Sequence, residues 1–389
     1  MQFRLFLSAV TAFGLTYTIS TASAEPGISA DKVVFGQAAA LDGPAAALGQ
    51  DMRTGILAAF EEVNKTGGVN GRKLELISKD DGYEPNKSIE VTKKLLDEDK
   101  VFGLIGSVGT PTSAATQPIA AEAGVPFVGP FTGAEFLRNP FQPNVLNVRA
   151  SYFQETEIMV ERLTKDRNAT RIAILFQDDG FGRAGLAGVQ KALEKRNMKL
   201  VAQGTFERNT VAVKSALLEI RKGNPEAVIM VGPYKPCAEF IKLARQVKME
   251  AQFINISFVG SNALAKELGA AGNGVIVTQV VPFPEDGSVP LVASYQAALK
   301  AADPNAKPGF VTLEGYMVGK VAIAALQKVS GEPTRKAFLS AVLGGSFDLG
   351  GVKLTYGADD NQGMDDVFLT VIQADGTFKP VTSLAQAGG

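Results

Sequence analysis

Three sets of residues have types and spacings that could do chemistry. Gly180-Phe181-Gly182-Arg183-Ala184-Gly185 fits the G-x-G-x-x-G pattern that brings a backbone close to a dinucleotide pyrophosphate, and it lies between an apolar strand and a helix start. Asp178 and Asp179 stand immediately before it, and two carboxylates there would repel the phosphates. The loop Gly106-Ser107-Val108-Gly109-Thr110-Pro111-Thr112-Ser113 also follows an apolar strand and precedes a helix. Its free backbone N–H groups and the Thr110 or Ser113 hydroxyls suit a carboxylate, although Thr112 or Ser113 could equally cap the helix. Gly129-Pro130-Phe131-Thr132-Gly133 is a second loop of this kind. Phe181 and Tyr234 fall at strand ends, where an aromatic wall would suit the apolar part of a small ligand and edge packing is the plainer alternative.

What the chain lacks narrows the chemistry further. It has no histidine, so Ser-His-Asp and Cys-His mechanisms are excluded, and with Cys237 as the only cysteine neither the usual zinc sites nor an intramolecular disulfide can form. Cys237 reads as a small buried hydrophobe. Charge is balanced, 39 basic against 40 acidic residues, with no basic stripe interleaved with aromatics, so nucleic acid is not an expected partner. No cofactor is expected. Arg4, the uncharged apolar run over residues 5–19 and Ala22-Ser23-Ala24 have the form of a secretory signal peptide spanning residues 1–24, with a soluble mature chain starting at Glu25. The run is shorter than the roughly 20 apolar residues that span a bilayer.

The elements that would position these residues alternate. Strand-like runs at residues 33–36, 73–77, 101–106 and 126–129 are interleaved with helical spacing over 52–64, 85–97 and 113–123. The rhythm resumes with strands at 171–176, 200–206, 227–231 and 274–279 and helices over 184–196, 211–221 and 238–247. This predicts an α/β fold of two doubly wound parallel-sheet lobes, with ligands at the carboxyl ends of the strands. A length above roughly 250 to 300 residues also favours two cores. The helical stretch 313–329 is too apolar to stand alone and is expected to pack on the first lobe.

Leu41-Asp42-Gly43-Pro44, the run from Glu62 to Leu74, Asp80-Asp81, Val125-Pro126, Pro130 to Ala134 and Asp178-Asp179-Gly180-Phe181-Gly182 together resemble the type I periplasmic solute-binding proteins of branched-chain amino-acid importers, the Leu/Ile/Val-binding family. The likeness runs over nearly the whole mature chain. It implies a three-crossing hinge, with residues 25–148 and 281–349 in lobe 1 and 149–280 and 350–389 in lobe 2. The crossings fall near 148–151, 280–282 and 349–351. It implies a non-enzymatic, monomeric binding protein in the periplasm that hands a small-molecule ligand to the permease subunits of an ABC importer in the inner membrane. The alternatives are a partner of a membrane sensor and an exported nucleotide-dependent oxidoreductase.

By position, the resemblance puts Thr110, Phe131 and Thr132 on a ligand carboxylate, Phe181 and Tyr234 on its aromatic contacts, and Leu48 on a side-chain contact. Two positions depart from the family pattern. Ser257 stands where amino-acid binders place an acidic residue for the ammonium group, and Gly133 where a threonine often contacts it. An ammonium left with neutral acceptors costs roughly 1 to 3 kcal/mol. The expected ligand is therefore any small carboxylate, amino acid or organic or aromatic acid; Glu314 is the acid that would serve an ammonium if one is present.

Overall fold

The computed structural model describes residues 25–387. The expected signal peptide lies outside the described residues.

The first sheet is built from β1 (Lys32–Ala39), β2 (Lys73–Asp80), β3 (Gly103–Ile105), β4 (Phe127–Val128) and β5 (Val145–Leu146), in the order β2-β1-β3-β4-β5. All its pairings are parallel. The helices between the strands are α1 (Ala46–Lys65), α2 (Pro85–Asp97) and α3 (Thr110–Glu122). β1 is buried at seven consecutive positions after Lys32, so it reads as a continuous apolar run rather than an alternating one.

The second sheet follows from α4 (Tyr152–Arg167), β6 (Ile172–Gln177), α5 (Gly180–Glu194), β7 (Ala202–Phe206), α6 (Lys214–Lys222), β8 (Ala227–Val231), α7 (Tyr234–Gln246), β9 (Gln252–Asn255), α8 (Ser261–Leu268) and β10 (Ile276–Gln279). The chain then forms α9 (Pro290–Ala302), α10 (Phe310–Lys328) and α11 (Arg335–Val342), a hairpin of β11 (Ser346–Asp348) and β12 (Lys353–Thr355), and finally β13 (Phe368–Ile372) and β14 (Phe378–Val381). The second sheet has the order β14-β13-β10-β9-β8-β6-β7. Its five strands from β6 to β10 are parallel, but β13 and β14 add an antiparallel edge that the strand–helix rhythm did not signal.

The apolar stretch expected at 313–329 is α10, and it does pack on the first lobe, against α1. Small residues allow this crossing. A Cβ on Gly55 would lie 2.0 Å from the Thr312 carbonyl oxygen, and one on Gly315 would lie 2.3 Å from that of Met52. The expected third crossing at 349–351 is instead the turn of the β11–β12 hairpin, where Asp348 Oδ1 accepts from the Gly350 and Gly351 N–H groups. The chain stays beside the first crossing through Asn361–Gly363, with Asn147 N donating to Asn361 O, and joins the second sheet only at β13.

Candidate functional site

Six strand ends, three from each sheet, carry the residues singled out in the sequence. Leu48 follows β1, Thr110 follows β3, Phe131 and Thr132 follow β4, Phe181 follows β6, Tyr234 follows β8 and Ser257 follows β9. The strand order reverses at β1/β3 in one sheet and at β6/β8 in the other, and crevices form at such switch points.

On the first lobe, Gly109 enters α3 at φ 107° without a side-chain cap, and Thr112 donates back to the Gly109 and Val108 carbonyls. Neither Thr112 nor Ser113 serves as an N-cap, so the Thr110 hydroxyl is left for the cleft. It lies 2.7 Å from the Thr132 hydroxyl, which also accepts from Ala134 N at 3.2 Å. Beside them stands Tyr152, wholly buried, with its phenol pushed above its ordinary range mainly by that burial. Both threonine hydroxyls lie near the Tyr152 phenol, yet no hydrogen bond of good geometry forms and its oxygen has no partner. Two hydroxyls sharing one hydrogen bond leave one O–H donor uncommitted, and Tyr152 supplies a second. A carboxylate has two oxygens to receive them. Tyr152 also explains Gly133: a Cβ there would lie 2.6 Å from the tyrosine ring, so no threonine fits.

The apolar wall is larger than Phe181 and Tyr234 alone. Phe258 sits between the lobes, with ring centroids 4.5 Å from Phe181, 5.1 Å from Phe131 and 6.1 Å from Tyr83. Leu48 and Tyr234 form a second patch. A Cβ on Gly260 would lie 2.5 Å from Leu48 and 3.8 Å from Tyr234, whose hydroxyl accepts from Ala47 N at 3.4 Å. Both Phe181 and Tyr234 lie in the first turn of a helix, because α5 and α7 begin four residues before the helical spacing suggested.

Beneath the rings lies a charged cluster that the sequence reading did not assemble. Arg149, in the first crossing, is completely buried, with its guanidinium 5.0 Å from the Phe131 centroid. It meets Glu155 at 3.2 Å and Glu314 at 3.7 Å and donates to Ser257 Oγ. Burial opposes its charge, but the two carboxylates outweigh burial and keep it ionised. Glu155 in turn accepts from Ser257 N and Oγ, both at 2.9 Å, and from Thr278 Oγ1. The position read as lacking acidity therefore holds a carboxylate after all, delivered from α4 rather than carried at residue 257. Sequence adjacency could not reveal it. Arg138, lowered to about 10 mainly by burial and then by Arg149, braces the Ala134 and Arg149 carbonyls at 3.0 and 3.1 Å.

The G-x-G-x-x-G segment has a different role from phosphate binding. The Asp179 side chain accepts from Phe181 N at 2.9 Å and Gly182 N at 3.5 Å, so it occupies the helix N-terminus that a pyrophosphate would need. A Cβ on Gly182 would lie 1.8 Å from Gln177 O, and one on Gly185 2.5 Å from Val231. These glycines let α5 pack close to the sheet. Cys237 is fully buried, with its thiol pushed far up by burial, which removes it as a nucleophile. Among the described residues no group of three or more His, Cys, Asp or Glu side chains is placed to hold a metal ion, and no helix is long and apolar enough to cross a membrane.

The lobes touch across the cleft. Arg208 reaches from the second lobe to Glu84 on the first at 2.9 Å and to Asp179 at 3.2 Å, and Asn209 Nδ2 donates to Gly82 O and Glu84 Oε1. Gln177 Nε2 donates to Tyr83 Oη at 3.3 Å.

Two doubly wound lobes meeting over a crevice at their strand ends define a two-lobed ligand-binding protein. Residues 32–377 match the family model described as "Periplasmic binding protein", and the chain belongs to that family. Its members are non-enzymatic solute-binding proteins of the periplasm. The chain is 25% identical over 316 residues to a Leu/Ile/Val-binding protein homolog 7 of Brucella abortus, covering 78% of each. It is 23% identical over 325 residues to the leucine-, isoleucine-, valine-, threonine- and alanine-binding protein of Pseudomonas aeruginosa, covering 82% of this chain and 84% of the relative. Among solved structures, a possible leucine/isoleucine/valine-binding protein from Rhodopirellula baltica superposes with a TM-score of 0.88 at 37% identity, covering 95% of this chain and all of that one.

Proposed function

We propose that this protein is exported through a cleaved signal peptide and delivers a small carboxylate-bearing ligand, an amino acid or an organic or aromatic acid, to the permease of an ABC importer. The observation that carries the ligand class is the Thr110–Thr132–Tyr152 group: three neutral, buried hydroxyls with two uncommitted O–H donors beneath an apolar ring wall. In this reading the carboxylate sits on those hydroxyls, and Phe131, Phe181, Tyr234 and Leu48 enclose the apolar part. Ser257 acts through its bonds to Arg149 and Glu155, which fix the turn bearing Phe258. The homologues named for branched-chain amino acids support the transport role, and the Arg149–Glu155 pair at the Ser257 position supports a ligand range wider than theirs.

A thermal-shift screen of amino acids, aliphatic and aromatic acids and neutral amides tests it. A ligand at 100 times its Kd adds about 2.7 kcal/mol of stability. Carboxylates are expected to raise the melting temperature; a response to neutral amides with none to any carboxylate would remove the reading.

A further inference from the structure

Beside the Thr110–Thr132–Tyr152 group lies an apolar space that no part of this reading uses. A cavity of about 300 Å³ lies between the lobes, with Pro111 and Ala114 of α3 and Phe136 on one side and Phe153, Ala184 and Ala187 on the other. Thr110 and Tyr152 also line it, so it adjoins the residues that bear the hydroxyls, and the exposed Ala114 and Ala187 place its mouth at the side of the cleft. Its volume is at the lower end of the range for small-molecule pockets. Small side chains keep it open: Ala114, Ala184 and Ala187 are three positions where a leucine would fill it.

Two buried polar atoms on residues of this wall have no partner. One is Tyr152 Oη, on a side chain with no exposure, and the other is Glu135 Oε1. A tyrosine hydroxyl can donate to an anion. A carboxylate oxygen can only accept, so it opposes a second negative charge close by.

We propose that this side cavity receives the far end of ligands too long for the ring wall to enclose, so that the site takes acids with longer chains than the branched-chain amino acids, and that Glu135 excludes dicarboxylates. The inference rests on the carboxylate reading of the Thr110 hydroxyls. The carboxylate stays at Thr110, Thr132 and Tyr152, and the part of the chain that extends past the ring wall runs outward between α3 and α5. Each methylene that enters the cavity raises affinity about fourfold.

The test uses two homologous series, straight-chain monocarboxylates from butanoate to octanoate and 2-amino acids of the same lengths, titrated calorimetrically. Adipate serves as the dicarboxylate match for hexanoate. In the wild-type chain, affinity in at least one series rises with length, and hexanoate binds at least tenfold tighter than adipate. Ala184→Leu abolishes the rise, and so does Ala187→Leu, which alters an exposed position and leaves folding intact. Glu135→Gln narrows the hexanoate–adipate gap. The inference is overturned if shorter members bind but affinity is flat with length, or if both filled variants keep the wild-type length dependence. If no member of either series binds, the carboxylate reading itself fails, and this inference with it.

Discussion

Two polar clusters lie side by side where the lobes meet, and they are built in opposite ways. Thr110, Thr132 and Tyr152 are neutral and have hydrogen-bonding capacity to spare. Arg149, Glu155 and Glu314 are ionisable and buried, and Glu155 accepts from Ser257 twice, from Thr278 and from Arg149. A charge taken out of water must be answered by neighbours already in place, so this cluster holds backbone: it ties the first crossing to α4, to the turn after β9 and to α10. Neutral hydroxyls tolerate an open valence at modest cost, whereas the open valences of the charged cluster, at Arg149 Nε and Nη1, lie on a guanidinium already ion-paired to Glu155 and Glu314. The difference is one of charge: ion pairing commits the first crossing to its neighbours, while the hydroxyls are committed only to one another.

The comparison can be broken most directly at Arg149. Arg149→Met leaves two buried carboxylates facing each other, and removing one partner of such a pair costs about 3 to 5 kcal/mol. Urea unfolding should show a loss of that size; a loss under about 1 kcal/mol would mean that the cluster does not hold the hinge.

Glu314 gives a smaller effect with a sign. Its carboxyl is pushed up to about 7 from an ordinary 4.5, mainly by burial, with Arg149 offsetting only part of the shift. An acid whose folded pKa lies above its unfolded value binds an extra proton in the native state, so stability falls as pH rises through that window. Asp51 and Asp81, each pushed up to about 6 chiefly by burial, act in the same direction. Stability should therefore drop between about pH 4 and about pH 7, with Glu314 contributing on the order of 3 kcal/mol. Denaturant titrations of Glu314→Gln across that range should show a shallower slope than wild type. An unchanged slope would place the ionisation elsewhere.

The smallest stability effect and a clear binding effect are expected together at Thr132. Thr132→Val removes a hydroxyl from the neutral cluster, so ligand affinity should fall by roughly tenfold to a hundredfold while stability changes by about 1 kcal/mol. Equal losses in both would erase the distinction between the clusters.

Much of the scaffold was legible in the chain because its signals are local. Strands covered on both faces become apolar runs, as in β6 and β8, and the turns after them gather glycine and hydroxyl residues within a few positions. The antiparallel edge β13–β14 was not legible, since short strands far from their partner carry no rhythm of their own. The same holds at the site. Thr110 and Thr132 could be nominated from their loops, but their 2.7 Å contact needed β3 and β4 to lie side by side.

The sequence by itself determined which chemistry was excluded: with no histidine and one cysteine, no arrangement of this chain yields the usual nucleophilic or zinc centres. It also determined that carboxylates would precede the G-x-G-x-x-G segment, and Asp179 caps α5 for that reason. Only the tertiary structure decided where charge resides. Glu155 reaches Ser257 and Arg149 meets Glu314 because four chain segments distant in sequence converge at the hinge, and it likewise set Phe258 between Phe131 and Phe181. Helical and strand periodicities extend over a few residues, whereas the environment of a buried charge is the sum of whatever segments packing brings within a few ångströms of it.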